Sequence, residues 1–213
     1  MSEPAFWDSY LEEEPISKAI KDNWQTIRDE VLGFKEKYPQ FFVDYPKFKI
    51  VDEETNERVR MYENDWKVSG FTKFDESYKE IQRVNRRLGD NLNKLIERYL
   101  KKFLPTVDAL IKPYEAQGLL SNGFVSILSP GTIIKPHNGY SNEYMRIHCG
   151  LISDPECKIT VGSETRTWEE GKLLAFKDGG PYKHSVKHEG TRDRYIFSFD
   201  LKLDYLKQYI PEL

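Results

Sequence analysis

Apolar residues in the first part of the chain recur every three or four positions, the spacing that places them on one face of an α-helix. One such stretch covers residues 16–34 and a longer one covers about 76–104, where Pro105 is expected to end the helix. Between them, residues 41–75 are aromatic-rich and irregular, and only DWKVSGF at 65–71 has the pattern of a short strand. The pattern predicts two helices separated by one strand.

After Pro113 the pattern changes to short apolar runs that alternate with polar residues and are separated by Pro-Gly and Gly-Gly turns. The runs are GFVSILSPGTIIKPH, YMRIHCGLI, CKITVGSETRTW, GKLLAFKDGG and RYIFSFDL. Such alternation is typical of strands in a sandwich or barrel, where one face of each strand is buried. We therefore expect a single α+β domain over residues 1–213, with a mainly helical support region at 1–115 and a β-barrel catalytic core at 116–213.

The composition fits a folded protein and excludes two classes of partner. The chain has 213 residues, of which 38% are hydrophobic and 31% charged, and its net charge of -3 arises from 32 basic and 35 acidic residues spread along the sequence. There is no basic patch for nucleic acid or an anionic membrane, no apolar run long enough to span a bilayer and no secretion signal. Cys149 and Cys157 form no disulfide or metal motif and are expected to be buried thiols. We expect a cytoplasmic protein that binds neither nucleic acid nor membrane.

All four histidines lie in the β half of the chain: His137, His148, His184 and His188. The segment between His137 and His184 is long enough to run round a small barrel and return, so the two imidazoles could share a metal such as iron, zinc or copper. The usual iron site for oxygen activation adds a carboxylate two residues after the first histidine, but that position is Gly139, which has no ligand atom. We expect His188 to lie on the surface.

Two arginines interrupt otherwise apolar strands, Arg146 in MRIH and Arg194 in DRYIF. Arg146 and His148 are two residues apart, so they face the same side of a sheet. A charge inside a barrel needs a partner, and a dicarboxylate ligand could pair with both guanidinium groups. Salt bridges on the outer face, to Asp193 or Glu143, would explain the same residues. The spacing does not decide between these two explanations.

Three segments together resemble the aspartyl/asparaginyl β-hydroxylase family of Fe(II)- and 2-oxoglutarate-dependent oxygenases. They are SILSPGTIIKPHNGYSNEYMRIHCGL, TWEEGKLLAFKDGGPYKHSV and RYIFSFD, with a weaker similarity in DWKVSGF, and they fall within residues 65–200. The resemblance implies a double-stranded β-helix, the jelly-roll or cupin-like barrel, with an N-terminal helical layer. Members of this family hold iron with two histidines and lack the acidic ligand, so Gly139 matches their pattern.

The resemblance also implies six site residues in three pairs. These are the catalytic iron ligands His137 and His184, the pair at the distal carboxylate of 2-oxoglutarate, Ser126 and Arg194, and the pair near its other end, Arg146 and His148. The implied reaction consumes oxygen and 2-oxoglutarate, releases succinate and carbon dioxide, and hydroxylates an unactivated carbon of an amino acid, peptide or small biosynthetic intermediate. Halogenation, cyclisation or desaturation with the same cofactors is an alternative, and a non-redox cupin-like binding protein is another.

Some neighbouring residues have less defined expectations. Lys135 and Asn138 flank the first histidine and could touch the substrate, whereas the turn at 168–171 is expected to be structural. Tyr144 stands where animal members of the family have a basic residue, which weighs against an acidic side chain on an extracellular domain as the substrate. At Gly139 a carboxylate is expected to bind iron but impair turnover, and a methyl group is expected to cost less.

Overall fold

The computed structural model describes residues 3–52, 55–72, 98 and 100–213. Its helices in chain order are α1 (Pro15–Asp22), α2 (Trp24–Lys37), α3 (Pro105–Ala116) and α4 (Leu203–Leu206), with short 3₁₀ turns at Asp8–Leu11 and Pro39–Phe41. The first five strands are β1 (Val43–Asp44), β2 (Lys49–Val51), β3 (Arg58–Arg60), β4 (Tyr62–Glu63) and β5 (Trp66–Gly70). The remaining eight are β6 (Leu120–Leu128), β7 (Ile133–His137), β8 (Tyr144–Ile152), β9 (Cys157–Val161), β10 (Glu164–Thr167), β11 (Leu173–Lys177), β12 (His184–His188) and β13 (Arg194–Lys202).

The helix expected over residues 16–34 is two helices that meet at Asn23. The Asn23 backbone N–H and its side-chain amide both donate to the Ala19 carbonyl, so Asn23 closes α1 instead of continuing it. Glu14 caps the start of α1 by accepting from two backbone N–H groups of the first turn. The apolar positions of both helices still pack into one core, so the predicted buried face is confirmed and only the helix continuity is wrong.

The second predicted helix lies mostly outside the described residues. Residues 100–103 are helical, and the helix stops at Leu104 as expected. Pro105 then begins α3, because a proline at the first position of a helix gives up an N–H that would have no partner there. The sequence pattern did not predict α3. None of the described helices is long and apolar enough to cross a membrane.

Two antiparallel sheets form the barrel. The strand order is β1-β5-β6-β13-β8-β11 in the six-stranded sheet and β10-β9-β12-β7-β4 in the five-stranded sheet, while β2 and β3 form a separate hairpin. Side chains from both sheets meet in one apolar cluster, with Leu128 and Ile196 from the first sheet and Ile134 and Val186 from the second. The fold is therefore α+β with a cupin-like jelly roll, as predicted.

The strict alternation of β8 and β13 separates two cores. Met145 and Ile147 on β8, and Phe197 and Phe199 on β13, turn to the outer face of the six-stranded sheet and pack with the helices. The residues between them turn into the barrel, because successive side chains of a strand point to opposite faces. This is why polar residues in apolar strands, such as those of MRIH and DRYIF, point inward.

Two parts of the barrel were not anticipated. Strand β5 matches the strand expected at 65–71, but the shorter strands β1 and β4 were not expected and also join the two sheets, so the barrel takes residues from the region expected to be mainly helical support. Strands of two or three residues are too short for a recognisable alternation. The β12 strand was missed because its inward positions alternate as His184, Val186 and His188, a pattern with a single apolar residue. The thiols Cys149 and Cys157 are free and buried, as expected.

Candidate functional site

A cavity of about 390 Å³ opens between the two sheets. Its walls come from the inward faces of β6, β7, β8, β12 and β13, and residues of the region 45–66 form part of its lining. All six site residues expected from the resemblance line this cavity. Arg146 is described separately below, because it is paired with two carboxylates.

His137 and His184 lie opposite one another in adjacent strands. Their Cα atoms are partners in the antiparallel register of β7 and β12, and their ring centroids are 4.2 Å apart. The Nδ1 atom of His137 is 2.8 Å from the Lys135 carbonyl. A carbonyl only accepts, so Nδ1 carries the proton and Nε2 keeps its lone pair, the arrangement found in metal-binding histidines.

Burial keeps the three histidines of the cavity neutral. Burial lowers the pKa of His137, and it lowers the pKa values of His148 and His184 well below the ordinary value, with nearby positive charge adding to the effect in each case. We call His137, His148 and His184 the cavity histidines. Neutral imidazole is the form that binds a metal, so the site does not need to lose a proton first.

Asp178 brings a carboxylate beside the histidine pair. Its Oδ1 atom is 3.4 Å from His184 Nε2 and 2.7 Å from Arg146 Nη1, while Oδ2 is buried and has no hydrogen-bond partner in the described structure. A Cβ atom built on Gly139 would lie 1.6 Å from Asp178 Oδ2. The Asp178 carboxylate therefore occupies the space into which a side chain at position 139 would project.

The sequence did not single out Asp178, because KDGG has the composition of a simple turn. Burial raises its pKa to about 6, although the Arg146 guanidinium acts in the opposite direction. No three His, Cys, Asp or Glu side chains in the described part of the chain form a group arranged to hold a metal ion. The metal-binding atoms that the structure offers are those of the two imidazoles, with one buried carboxylate next to them.

Arg146 is held by two carboxylates inside the barrel. Its Nη1 donates to Asp178, and its Nε and Nη2 donate to Asp200 at 2.9 Å each. Asp200 also accepts from Asn122 and Tyr140. For Arg146, the alternative of a salt bridge on the outer face is therefore wrong. The expected role of Arg146 at 2-oxoglutarate stays a prediction, and Asp178 and Asp200 already neutralise its guanidinium.

Arg194 has no such partner. It is 2% exposed, and its Nη2 donates to Ser126 Oγ at 3.3 Å, but neither Nε nor Nη1 has a hydrogen-bond partner among the described residues. Its guanidinium lies 4.6 Å from the centre of the Trp168 ring, and the nearby Cys157 thiol is only a weak acceptor. Burial lowers the pKa of Arg194 to about 10. A buried cation with unused donors indicates a site for an anion.

Two tryptophans hold the polar groups around this cation. Trp66 donates from Nε1 to Ser126 Oγ at 2.9 Å, so the Ser126 hydroxyl proton remains available to a ligand. Trp168 donates from Nε1 to His148 Nδ1 at 3.2 Å, which fixes the tautomer of that ring. Trp168 stands in the turn between β10 and β11, as expected, but its ring and its N–H also contact the site.

His188 is buried at 1% exposure, so its expected surface position is wrong. Residues four apart in a strand share a face, and His188 therefore points the same way as His184. Its Nε2 atom is 2.9 Å from the Arg192 carbonyl and its Nδ1 accepts from the Gly190 N–H. Both ring nitrogens are used within a turn, so His188 has a structural role outside the cavity.

The two residues flanking His137 differ in position. Asn138 lines the cavity, whereas Lys135 is not among the lining residues and its ammonium is 3.6 Å from Glu63. The Lys135 backbone carbonyl is the group that orients His137. Of the two, only Asn138 is placed to touch a substrate.

Comparison with known proteins identifies the family. The family model described as Aspartyl/Asparaginyl beta-hydroxylase matches residues 21–203. The chain belongs to this family. Mouse Aspartyl/asparaginyl beta-hydroxylase is 33% identical over 189 residues, which cover 87% of this chain and 21% of that protein, and the human protein is 32% identical over the same share of each.

Two further similarities are shorter or more distant. Mouse Aspartate beta-hydroxylase domain-containing protein 2 is 38% identical over 86 residues, covering 39% of this chain and 24% of that protein. The Schizosaccharomyces pombe Cnp3 cupin domain superposes with a TM-score of 0.38 at 8% identity, covering 80% of this chain and 93% of that domain. The chain thus spans about a fifth of the length of the mouse and human β-hydroxylases.

Proposed function

We propose that the chain is an Fe(II)- and 2-oxoglutarate-dependent dioxygenase that hydroxylates an unactivated carbon of an amino acid, a peptide or a small biosynthetic intermediate. One observation carries the proposal: a pair of neutral imidazoles in direct register shares a cavity with a buried guanidinium that has no anionic partner among the described residues. Membership of the β-hydroxylase family supports it.

The residues present fit an iron ion. His137 and His184 would hold it, because imidazole is a preferred ligand of iron and both rings are neutral. With iron, oxygen and 2-oxoglutarate bound, the cofactors would supply the oxidation itself. The protein orients the ligands: the Lys135 carbonyl fixes the His137 ring, and the Asp178 carboxylate stands beside His184.

The residues also fit a dicarboxylate co-substrate. Arg194 would pair with its distal carboxylate through the donors that are unused in the structure, and Ser126 would donate its hydroxyl proton to the same group. His148 would face the other end of the molecule, with its ring fixed by Trp168. Arg146 instead orients Asp178 and Asp200, so we assign it a positioning role.

Succinate formation tests this proposal. Purified protein supplied with Fe(II), oxygen and 2-oxoglutarate should form succinate, and His137→Ala or His184→Ala should abolish this activity together with stoichiometric Fe(II) binding. Arg194→Ala should weaken 2-oxoglutarate binding by about 1.5–3 kcal/mol or more, the contribution of a charge-assisted hydrogen bond, and Arg194→Lys should recover part of it. Arg192→Ala is the matched control, since Arg192 is exposed.

The outcomes separate the alternatives. No succinate and no 2-oxoglutarate binding by the wild-type protein would favour a non-redox binding protein. Succinate with a product mass other than substrate plus one oxygen atom would favour halogenation, cyclisation or desaturation. Equal loss of 2-oxoglutarate affinity in the Arg194 and Arg192 variants would contradict the assignment of the anion site. A cytoplasmic location remains a prediction.

A further inference from the structure

Three cationic side chains are among the described residues that line the cavity, and two of them already have an anionic partner or a proposed ligand. Arg146 is neutralised by Asp178 and Asp200, and Arg194 is the proposed partner of the co-substrate. The third is Lys49, at the start of β2. It is exposed and has no ion-pair partner among the residues that the structure describes. Lys49 is therefore the cation available to pair with an anionic part of the substrate.

Lys49 is not isolated on this hairpin. In the register of β2 and β3 it lies directly opposite Arg60, and Arg58, two residues before Arg60 on β3, lies opposite Val51. These four side chains are all exposed and share one face of the hairpin, whereas Ile50 and Val59 turn to the other face. We call Lys49, Arg58 and Arg60 the basic row.

The like charges of the basic row destabilise the hairpin unless an anion pairs with them. Like charges directly opposite each other in an antiparallel pair destabilise the sheet, and Lys49 and Arg60 are such a pair. No salt bridge within the described residues joins any of the three cations to a carboxylate. Of the described carboxylates in the hairpin, Asp52 accepts from the Thr55 backbone and hydroxyl, and Glu57 forms no ion pair with the row. Among the described residues the row therefore has no anionic partner.

The spacing of the row indicates the shape of that anion. Arg58 and Arg60 are two residues apart on a strand, which is about 6.6–6.8 Å. A single small anion between Lys49 and Arg60 would not reach Arg58 at the same time. An extended peptide repeats its side chains on one face at the same interval, so alternate acidic residues would match the row. Val51, which is 55% exposed, offers an apolar contact next to it.

We propose that the basic row binds an acidic, extended segment of a peptide substrate that flanks the residue entering the cavity. This proposal rests on the proposed function for the identity of the site, and it names the substrate class: a peptide with alternating carboxylates outside the cavity. The residue to be oxidised lies within the cavity, and the flanking carboxylates pair with Lys49, which also lines the cavity, and with Arg60 and Arg58 on the outer face of the hairpin.

Fluorescence anisotropy tests the proposal without requiring turnover. The probe is a fluorescein-labelled peptide in which every second residue is Glu, and its control has Gln at the same positions. Wild-type protein should bind the Glu peptide more tightly, and added salt should weaken binding, since exposed ion pairs are screened. Each exposed ion pair contributes up to about five-fold in affinity, so Lys49→Glu/Arg60→Glu should weaken binding about ten-fold or more.

The matched control removes the same charge elsewhere. Lys18 and Lys101 are exposed cations in helical segments, so Lys18→Glu/Lys101→Glu should bind the Glu peptide as the wild-type protein does. Thermal unfolding verifies that both double variants are folded. Equal binding of the Glu and Gln peptides, or equal loss in the two double variants, would overturn the proposal.

Two further measurements distinguish this proposal from phosphate binding and from the proposed dioxygenase function. In the first, inorganic phosphate or pyrophosphate is added to the bound Glu peptide. Displacement of the peptide at phosphate concentrations comparable to that of the peptide would mean that the basic row binds a phosphate group, and it would overturn the peptide assignment. Fe(II) and 2-oxoglutarate binding are measured on the same wild-type sample. Their absence would count against the dioxygenase, whereas absence of Glu-peptide binding alone would count only against the basic row.

Discussion

Replacing Gly139 with alanine tests the packing of the site most directly. The added Cβ would lie 1.6 Å from Asp178 Oδ2 and 2.2 Å from its Cγ, far inside van der Waals contact. The carboxylate would have to move away, which breaks its 2.7 Å bond to Arg146. Overpacking a buried site costs about 1–3 kcal/mol and a charge-assisted hydrogen bond about 1.5–3 kcal/mol, so Gly139→Ala should lower the free energy of unfolding by about 2.5–6 kcal/mol.

A double-mutant cycle measured by urea unfolding isolates this contact. In an Asp178→Ala background the carboxylate is gone, so adding Gly139→Ala should cost close to nothing, and the coupling between the two changes should be about 2.5–6 kcal/mol. Gly33→Ala is the matched control. Gly33 lies within α2 with no atom near its added Cβ, and the change should stabilise the helix by about 0.5–1 kcal/mol.

Additive costs in the cycle would refute the reasoning, because they would mean that Asp178 does not occupy the space at Gly139. The same geometry revises an expectation drawn from the sequence, that a methyl group is milder here than a carboxylate. Both side chains begin with a Cβ, and the Cβ is the atom that collides. Gly139→Asp and Gly139→Ala should therefore both disturb the site.

Three further predictions concern other parts of the site. His188→Ala should lower the free energy of unfolding by about 2–4 kcal/mol, because two buried hydrogen bonds and packing are lost. The Fe(II) stoichiometry of the folded variant should equal that of the wild type. An unchanged free energy of unfolding would contradict the buried position of His188. Trp66→Phe should weaken 2-oxoglutarate binding about two- to ten-fold, measured by titration, since Ser126 loses the donor that orients it; unchanged affinity would exclude this positioning role. In metal-free protein, stability measured by urea unfolding should fall as pH drops below about 6.5, because the cavity histidines have lowered pKa values and gain protons on unfolding. Asp178, with its pKa raised to about 6, takes up a proton in the folded state and opposes this fall, leaving a slope of at most about 2.7 kcal/mol per pH unit; rising stability toward pH 5 would show that the histidines are not buried as neutral rings.

The sequence determined which side chains of the barrel share a face. Alternation in YMRIHCGLI put Arg146 and His148 on the same side of their strand, because a strand has a fixed period of two, but it left open whether the arginines face the interior or the outer surface. The helical period likewise gave the buried face of α1 and α2. It did not show the break at Asn23, where a local hydrogen bond ends one helix within an unbroken apolar pattern.

The partners of these inward side chains were decided only by the tertiary structure. Periodicity gives the face on which a residue lies, but not which distant segment closes over that face. Arg146 meets Asp178 and Asp200 because β8 lies between β11 and β13, whereas Arg194 meets no carboxylate in the described structure. Two arginines with the same pattern in sequence thus acquired opposite roles.

The contact between Gly139 and Asp178 shows most clearly that the sequence pattern does not reveal which distant segments meet. The sequence showed a missing carboxylate at position 139 and a turn at KDGG, with nothing to connect them. Pairing of β7 with β12 brings the two segments together, and the carboxylate from one fills the space left by the absent side chain of the other. The residue types were fixed locally by the sequence, but which of them share a space depends on closure of the barrel, which is a property of the whole chain.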